Sequence, residues 1–313
     1  MNFSSLFNIA KNKNPLDFSS KIITIGSCFS DSIGEKFKHY KFDVQANPFG
    51  VVFNPKSIEK LLCRAVNSIW FTENELVYHN DLWHSFDIHS DFSSRSKSMI
   101  LNELNASLAN FIEYVKATTH IYVTYGTAWV YVLKENNQVV SNCHKLPQIN
   151  FDKVLLSVAE IQQSIDNTMK YVQLLSPNCT IVFTVSPVRH IKDGFIENQR
   201  SKSHLITAIH SSIVSQNNYF PSYEIMMDEL RDYRYYAPDM LHPSNVAIDY
   251  IWEKFIDSSI HPNLFETLTE INNIQKSLAH KPFNPDTEQH QKFLKDLQNK
   301  IQNLQSKYPK IKF

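Results

Sequence analysis

This chain of 313 residues has little glycine, few cysteines and no excess of either charge. With only five glycines, each is expected to do backbone work that no other residue can do. The four cysteines, Cys28, Cys63, Cys143 and Cys179, are far apart and show no Cys-x-x-Cys spacing. That argues against both a structural zinc site and a disulfide framework. Lys plus Arg equals Asp plus Glu at 31 each, so the formal charge is zero and there is no electrostatic footprint for nucleic acid. No apolar run is long enough to cross a bilayer. Met1 to Phe7 lacks the basic head and apolar run of a signal peptide. These absences predict a cytoplasmic protein with no nucleic-acid and no membrane partner. The apolar fraction of 42% suffices for a core, and the length suggests one large domain with a small appendage.

Apolar runs at Lys21–Ile25, Ile121–Tyr125 and Thr180–Val185 read as buried strands, with Phe42–Gln45 and Ser222–Met227 as further strands. Helical spacing is expected over Ser30–Tyr40 (capped near Ser30 or Asp31), from Asn54-Pro55 through Val66, and over Met99–Ala117. It recurs over Val154–Leu175, His204–Val214 and from Pro243-Ser244 to Ile256. Hairpins are expected around Asn80-Asp81 and around Glu135–Asn137. The alternation of strand and helix predicts an α/β fold, a mostly parallel sheet covered on both faces with inserted hairpins. Residues 1–260 form the expected domain and 261–313 a C-terminal helical extension. Within Thr287–Ser306, Phe293, Leu294, Leu297, Ile301 and Leu304 make one stripe, which either docks on the domain or pairs with a second copy as a homodimer.

The chemistry is expected where the first strand breaks. Ile22–Ile25 runs into Gly26-Ser27-Cys28-Phe29-Ser30 and then into helical spacing, which points a turn side chain at the carboxyl end of the sheet. A cysteine at a helix N-terminus meets unpaired N–H groups that favour thiolate and can hold an oxyanion. A free cysteine is as often a small buried hydrophobe. Near the other end stands Asp239-Met240-Leu241-His242, in which His242 can take a nucleophile's proton while Asp239 orients it. Alone, that spacing arises readily by chance, as a capping Asp and a surface His. His84, Asp87, His89, His144 and His190 show no metal-ligand spacing, so neither metal nor cofactor is expected.

Ile25–Ser30 resembles the signature of the bacterial GSCFA family, grouped with the SGNH (GDSL-like) hydrolases. The likeness runs through Asn47–Gly50, Gly126–Trp129, Asn142–Lys145, Ser186–His190, Tyr219–Glu224 and Asp239–Pro243. The resemblance implies a three-layer α/β/α sheet of flavodoxin-like order. It puts the nucleophile at Cys28, or at Ser27 if the turn shifts by one residue. It also implies an oxyanion glycine at Gly50 and the acid–base pair at Asp239 and His242. The oxyanion asparagine expected after Gly126 is replaced by Thr127-Ala128-Trp129, and Asn142 is the candidate substitute. His89, His144, Lys145, Arg189 and His190 are implied as substrate contacts. Asn198, Ser201 and Lys202 are expected in a charged segment over the cleft.

The resulting expectation is an acyl-ester hydrolase acting on a small-molecule or glycan ester through a Cys-His-Asp triad without a cofactor. An acyltransferase on the same scaffold, a catalytically silent ligand-binding protein and a thiol redox role are the alternatives. The last lacks a nearby second cysteine to resolve a disulfide.

Overall fold

Four parallel strands form the centre of the computed structural model, which describes residues 5, 6, 8–212 and 218–313. They are β1 (Lys21–Gly26), β2 (Asp43–Ala46), the fifth strand in the chain, β5 (His120–Tyr125), and the ninth, β9 (Thr180–Val185). Their order is β2-β1-β5-β9, with Ile22 opposite both Val44 and His120, and Ile121 opposite Ile181. Alternate side chains of these strands enter opposite layers, as the strand period requires. Ile23, Ile25, Ile121, Val123, Ile181 and Phe183 face one core. The helices on that side are α2 (Pro55–Asn67), α3 (Lys97–Lys116), α4 (Val158–Leu175) and α5 (Phe195–Ser211). Ile22, Tyr122 and Val182 face the other core, against α1 (Cys28–His39) and the seventh helix, α7 (Asn245–Ser259). There Phe37 meets Trp252 and Phe255 edge to face. The expected three-layer α/β/α architecture is thus present.

The inserted strands form two further sheets. The hairpin β3 (Leu76–His79) with β4 (Leu82–Ser85) lies where expected. The second hairpin, β6 (Trp129–Leu133) with β7 (Gln138–Val140), gains a third strand, β8 (Phe151–Leu155), so the sheet runs β7-β6-β8. The expected helix from Val154 starts only at Val158, because the Ser157 and Glu160 side chains close a capping box there.

Two other expectations are corrected. Ser222–Met227 is not a strand: Ser222–Glu224 is helical (α6) and continues as a π-turn over Ile225–Glu229. Among the described residues a single parallel bridge, Phe183 to Tyr219, extends the sheet beyond β9. The helix expected from His204 begins nine residues earlier, at Phe195; its expected end at Val214 lies outside the described residues, as does most of Met1–Phe7. Of the two expected roles of the C-terminal stripe, docking is seen for three of its residues, while Phe293 and Leu294 stay exposed. Leu297, Ile301 and Leu304 of α9 (Glu288–Lys307) are buried with Ile271 and Ile274 of α8 (Phe265–Ala279) and with Ile311. Among the described residues no helix is long and apolar enough to cross a membrane.

Candidate functional site

The turn after β1 is built around Gly26. Its φ of 144° suits glycine, and a Cβ there would lie 2.1 Å from the Thr124 carbonyl oxygen. This close approach lets Ser27 N–H donate to Thr124 O at 3.1 Å. Ser27, not Ser30 or Asp31, caps α1: its Oγ accepts from Phe29 N–H at 3.2 Å. Cys28 is therefore the first helical residue, where N–H groups lack intrahelical partners. Ser27 is buried and Cys28 half-buried, and both line a cleft of about 510 Å³.

The helix N-terminus does not make Cys28 acidic. Burial pushes its thiol above the ordinary value, and Asp31 adds to that. The N–H groups of Cys28 and Phe29 and the charge of Lys202 pull the other way without prevailing. The expected thiolate preference is corrected accordingly: desolvation of a half-buried sulfur outweighs the dipole.

Asn47, which the sequence presented only as a turn residue, fastens this corner. Its Oδ1 accepts from Gly26 N–H at 2.8 Å, and its Nδ2 donates to Asp31 Oδ1 at 2.7 Å. Its carbonyl accepts from Gly50 N–H at 2.8 Å. The Gly50 amide expected to hold an oxyanion is thus engaged within its own turn, and Gly50 does not line the cleft. The glycine serves space instead: φ is 70°, and a Cβ would stand 2.4 Å from the His89 Cβ.

Asp239 and His242 meet as expected. A left-handed Met240 (φ 59°) folds the tetrapeptide so that Asp239 Oδ1 accepts from the N–H groups of Leu241 (2.9 Å) and His242 (3.0 Å). Asp239 Oδ2 accepts from His242 Nδ1 at 2.6 Å. These bonds, the two backbone ones first, draw the Asp239 carboxyl down to about 2. Nε2 of His242 has no partner among the described residues, and His242 lines the same cleft as Cys28. The loop is tied down by Ala237 N–H on His242 O (2.7 Å) and by Arg189 N–H on Leu241 O (3.1 Å).

Of the expected substrate contacts, His89, Asn142, Arg189 and His190 line the cleft. Asn142 Oδ1 holds His144 N–H at 2.8 Å, while its Nδ2 makes only a 3.5 Å contact with Ser90. Arg189 lies over the rings of Phe195, Tyr233 and Tyr236 at 5.4 to 5.8 Å. His190 packs on Phe53, and its Nε2 is buried without a partner. Burial, with Lys202 and His242 nearby, pushes its imidazole down to about 3, so the ring is neutral.

His144 and Lys145 do not belong to the cleft. His144 is buried, stacks on His84 at 4.5 Å, and bonds Ser85 O through Nε2 at 2.7 Å; burial pushes it down to about 4. Lys145 is exposed on the adjoining turn. Asn198, Ser201 and Lys202 form no charged flap; all three are buried on α5. Asn198 Oδ1 holds His190 N–H at 2.8 Å, and Ser201 Oγ holds Ala128 N–H at 2.7 Å. Among the described residues no three His, Cys, Asp or Glu side chains converge as metal ligands.

A three-layer α/β/α sheet with a thiol and a His–Asp pair at the carboxyl ends of its strands is the frame on which the sequence comparisons fall. The chain belongs to the GSCFA family, whose model matches residues 21–255. A second model, GSCFA domain protein, C-terminal domain, matches residues 271–313, which contain most of α8 and all of α9. No curated protein matches the chain.

Proposed function

We propose that this GSCFA chain is an acyl-ester hydrolase of the SGNH type, with Cys28, His242 and Asp239 as its triad. The observation that carries the reading is the Asp239–His242 bond of 2.6 Å, which leaves His242 Nε2 unpartnered beside the cleft that Cys28 lines. Because burial holds the Cys28 thiol protonated, the nucleophile needs a base at the moment of attack. His242 Nε2 takes the thiol proton as Sγ attacks the acyl carbon. The collapsing oxyanion expels the alcohol, which leaves with that proton, and a thioester remains. Water then attacks, again losing a proton to His242; the thiolate departs, recovers the proton and the acid is released. Asp239 holds the imidazole in the tautomer that exposes Nε2.

The N–H of Cys28 and Nδ2 of Asn142 are the proposed oxyanion donors, since the Gly50 amide is bonded to Asn47. Cys28 is preferred to Ser27 because the Ser27 hydroxyl is buried as the cap of α1. Trp129, Tyr131, Asn142 and Arg189 on the cleft wall suit a polyhydroxylated ester such as an acylated sugar or glycan. The test is intact mass after incubation with an activated acetyl ester. An acetyl adduct present in wild type and in Ser27→Ala, and lost in Cys28→Ala and His242→Ala, is expected. Loss in Ser27→Ala alone moves the nucleophile by one residue. No adduct in wild type, with a thiol inert to alkylation, would replace this reading by ligand binding, which the raised thiol favours.

A further inference from the structure

Lys202 has no exposed surface. Its Nζ donates to Gly126 O at 2.8 Å and Ser186 O at 2.7 Å, the residues that directly follow β5 and β9. The Tyr223 ring lies 5.6 Å from it. A lysine ammonium carries three donors, and these two carbonyls use two. No carboxylate among the described residues neutralises it, and the ionisable group whose charge it feels is Cys28. The backbone places the two together. Ser27 N–H is bonded to Thr124 O, so the Cys28 turn sits against the end of β5, two residues before the carbonyl that anchors Lys202.

Burying an ammonium without a counter-ion is costly, because the charge loses its hydration and gains no partner charge. A neutral amide would join the same two carbonyls without desolvating a charge. The positive charge itself therefore calls for a use, and the anion it can meet is the sulfur of Cys28. We propose that Lys202 is a positioning residue for the Cys28 chemistry, its buried ammonium supplying the positive charge against which the Cys28 sulfur becomes anionic. This rests on Cys28 being the reacting group.

The cleft that Cys28 lines also carries His89, Cys143, Arg189, Lys192 and Asp193, but the charged groups that act on the sulfur most are two. Asp31, on α1 itself, opposes the sulfur anion, and Lys202 on α5 favours it. The neutral ring of His190 and the Asp239-held His242 complete the cleft on that side. Burial brings Lys202 down to about 7 against the opposing pull of Cys28, so its charge fades as pH rises through neutrality.

The experiment is the rate of Cys28 alkylation by iodoacetamide between about pH 5 and 9, read on the Cys28 peptide by mass spectrometry. Wild type is compared with Lys202→Met and Lys202→Gln, with the Cys63 peptide as internal control and circular dichroism as the check of fold. Both variants are expected to slow Cys28 about tenfold or more near pH 7, one unit of thiol acidity, and to leave Cys63 unchanged. Gln keeps N–H donors for both carbonyls, so a purely structural lysine would leave its rate at the wild-type value. Folded variants that alkylate like wild type overturn the proposal. If neither variant folds, the profile of His242→Gln, which lacks the imidazole base of the cleft, decides: two steps, one near pH 7, uphold coupling to Lys202, and a single step overturns it. Alkylation reads the sulfur's charge without acyl transfer. A Lys202-dependent rate without an acetyl adduct would keep this inference and sink the esterase reading.

Discussion

His144 shows what a single residue's environment decides. In the sequence it stands between Asn142 and Lys145, and a continued strand would present it beside Asn142. But β7 ends at Val140, and left-handed turns at His144 and Lys145 (φ 48° and 61°) turn the imidazole inward. There it is neutral, with its pKa pushed down to about 4 from an ordinary 6.5. Above pH 6.5 both folded and unfolded chains hold it neutral, and its burial costs nothing in protonation. As pH falls from 6.5 toward 4 the unfolded chain takes up the proton first, so stability drains away, by about 3 kcal/mol at this site. His190, pushed down to about 3, acts in the same direction and further into acid. Urea midpoints should therefore fall steadily over that interval in wild type and fall less in His144→Phe, which keeps a plane against His84. Equal slopes in the two proteins would refute the assignment to His144.

At the scale of elements, α1 begins at Cys28 because Ser27 caps the helix by accepting from Phe29 N–H, which leaves the cysteine in the first turn beside the cleft. Ser27→Ala should lower unfolding free energy by about 1 kcal/mol and leave Cys28 alkylation intact. Loss of the acetyl adduct in that variant would show the serine acting as more than a cap. The element least legible in the sequence is α5. Its buried face runs Asn198, Ser201, Lys202, Leu205, Ala208, Ile209, a helical spacing whose first half is polar. Hydrophobic periodicity alone therefore starts the helix too late. Ser222–Met227 is the converse case, a short apolar run that suits a buried strand or a buried turn of helix equally, and only packing chooses. Asp-x-x-His was legible because its two partners lie three residues apart, within one turn.

Across the whole molecule, the C-terminal helices close a third small core against the α1 side of the domain, where Phe18 and Tyr40 meet Tyr308 and Phe313. Ile301→Ala should cost about 2 to 5 kcal/mol by urea unfolding, since Ile301 is buried among residues of its own chain. A midpoint that rises with protein concentration would instead show the stripe joining two copies. The buried strands, the amphipathic helices and the Asp239–His242 turn were determined by the sequence itself. Each rests on side-chain periodicity or on contacts a few residues long, and those act before the chain has a shape. The tertiary structure alone decided that the Gly50 amide is bonded to Asn47, that His144 leaves the cleft, that burial outweighs the helix dipole at Cys28, and that Lys202 lies beneath the ends of β5 and β9. These outcomes depend on which distant segments exclude water from a group, and desolvation is a property of the assembled fold rather than of any stretch of sequence.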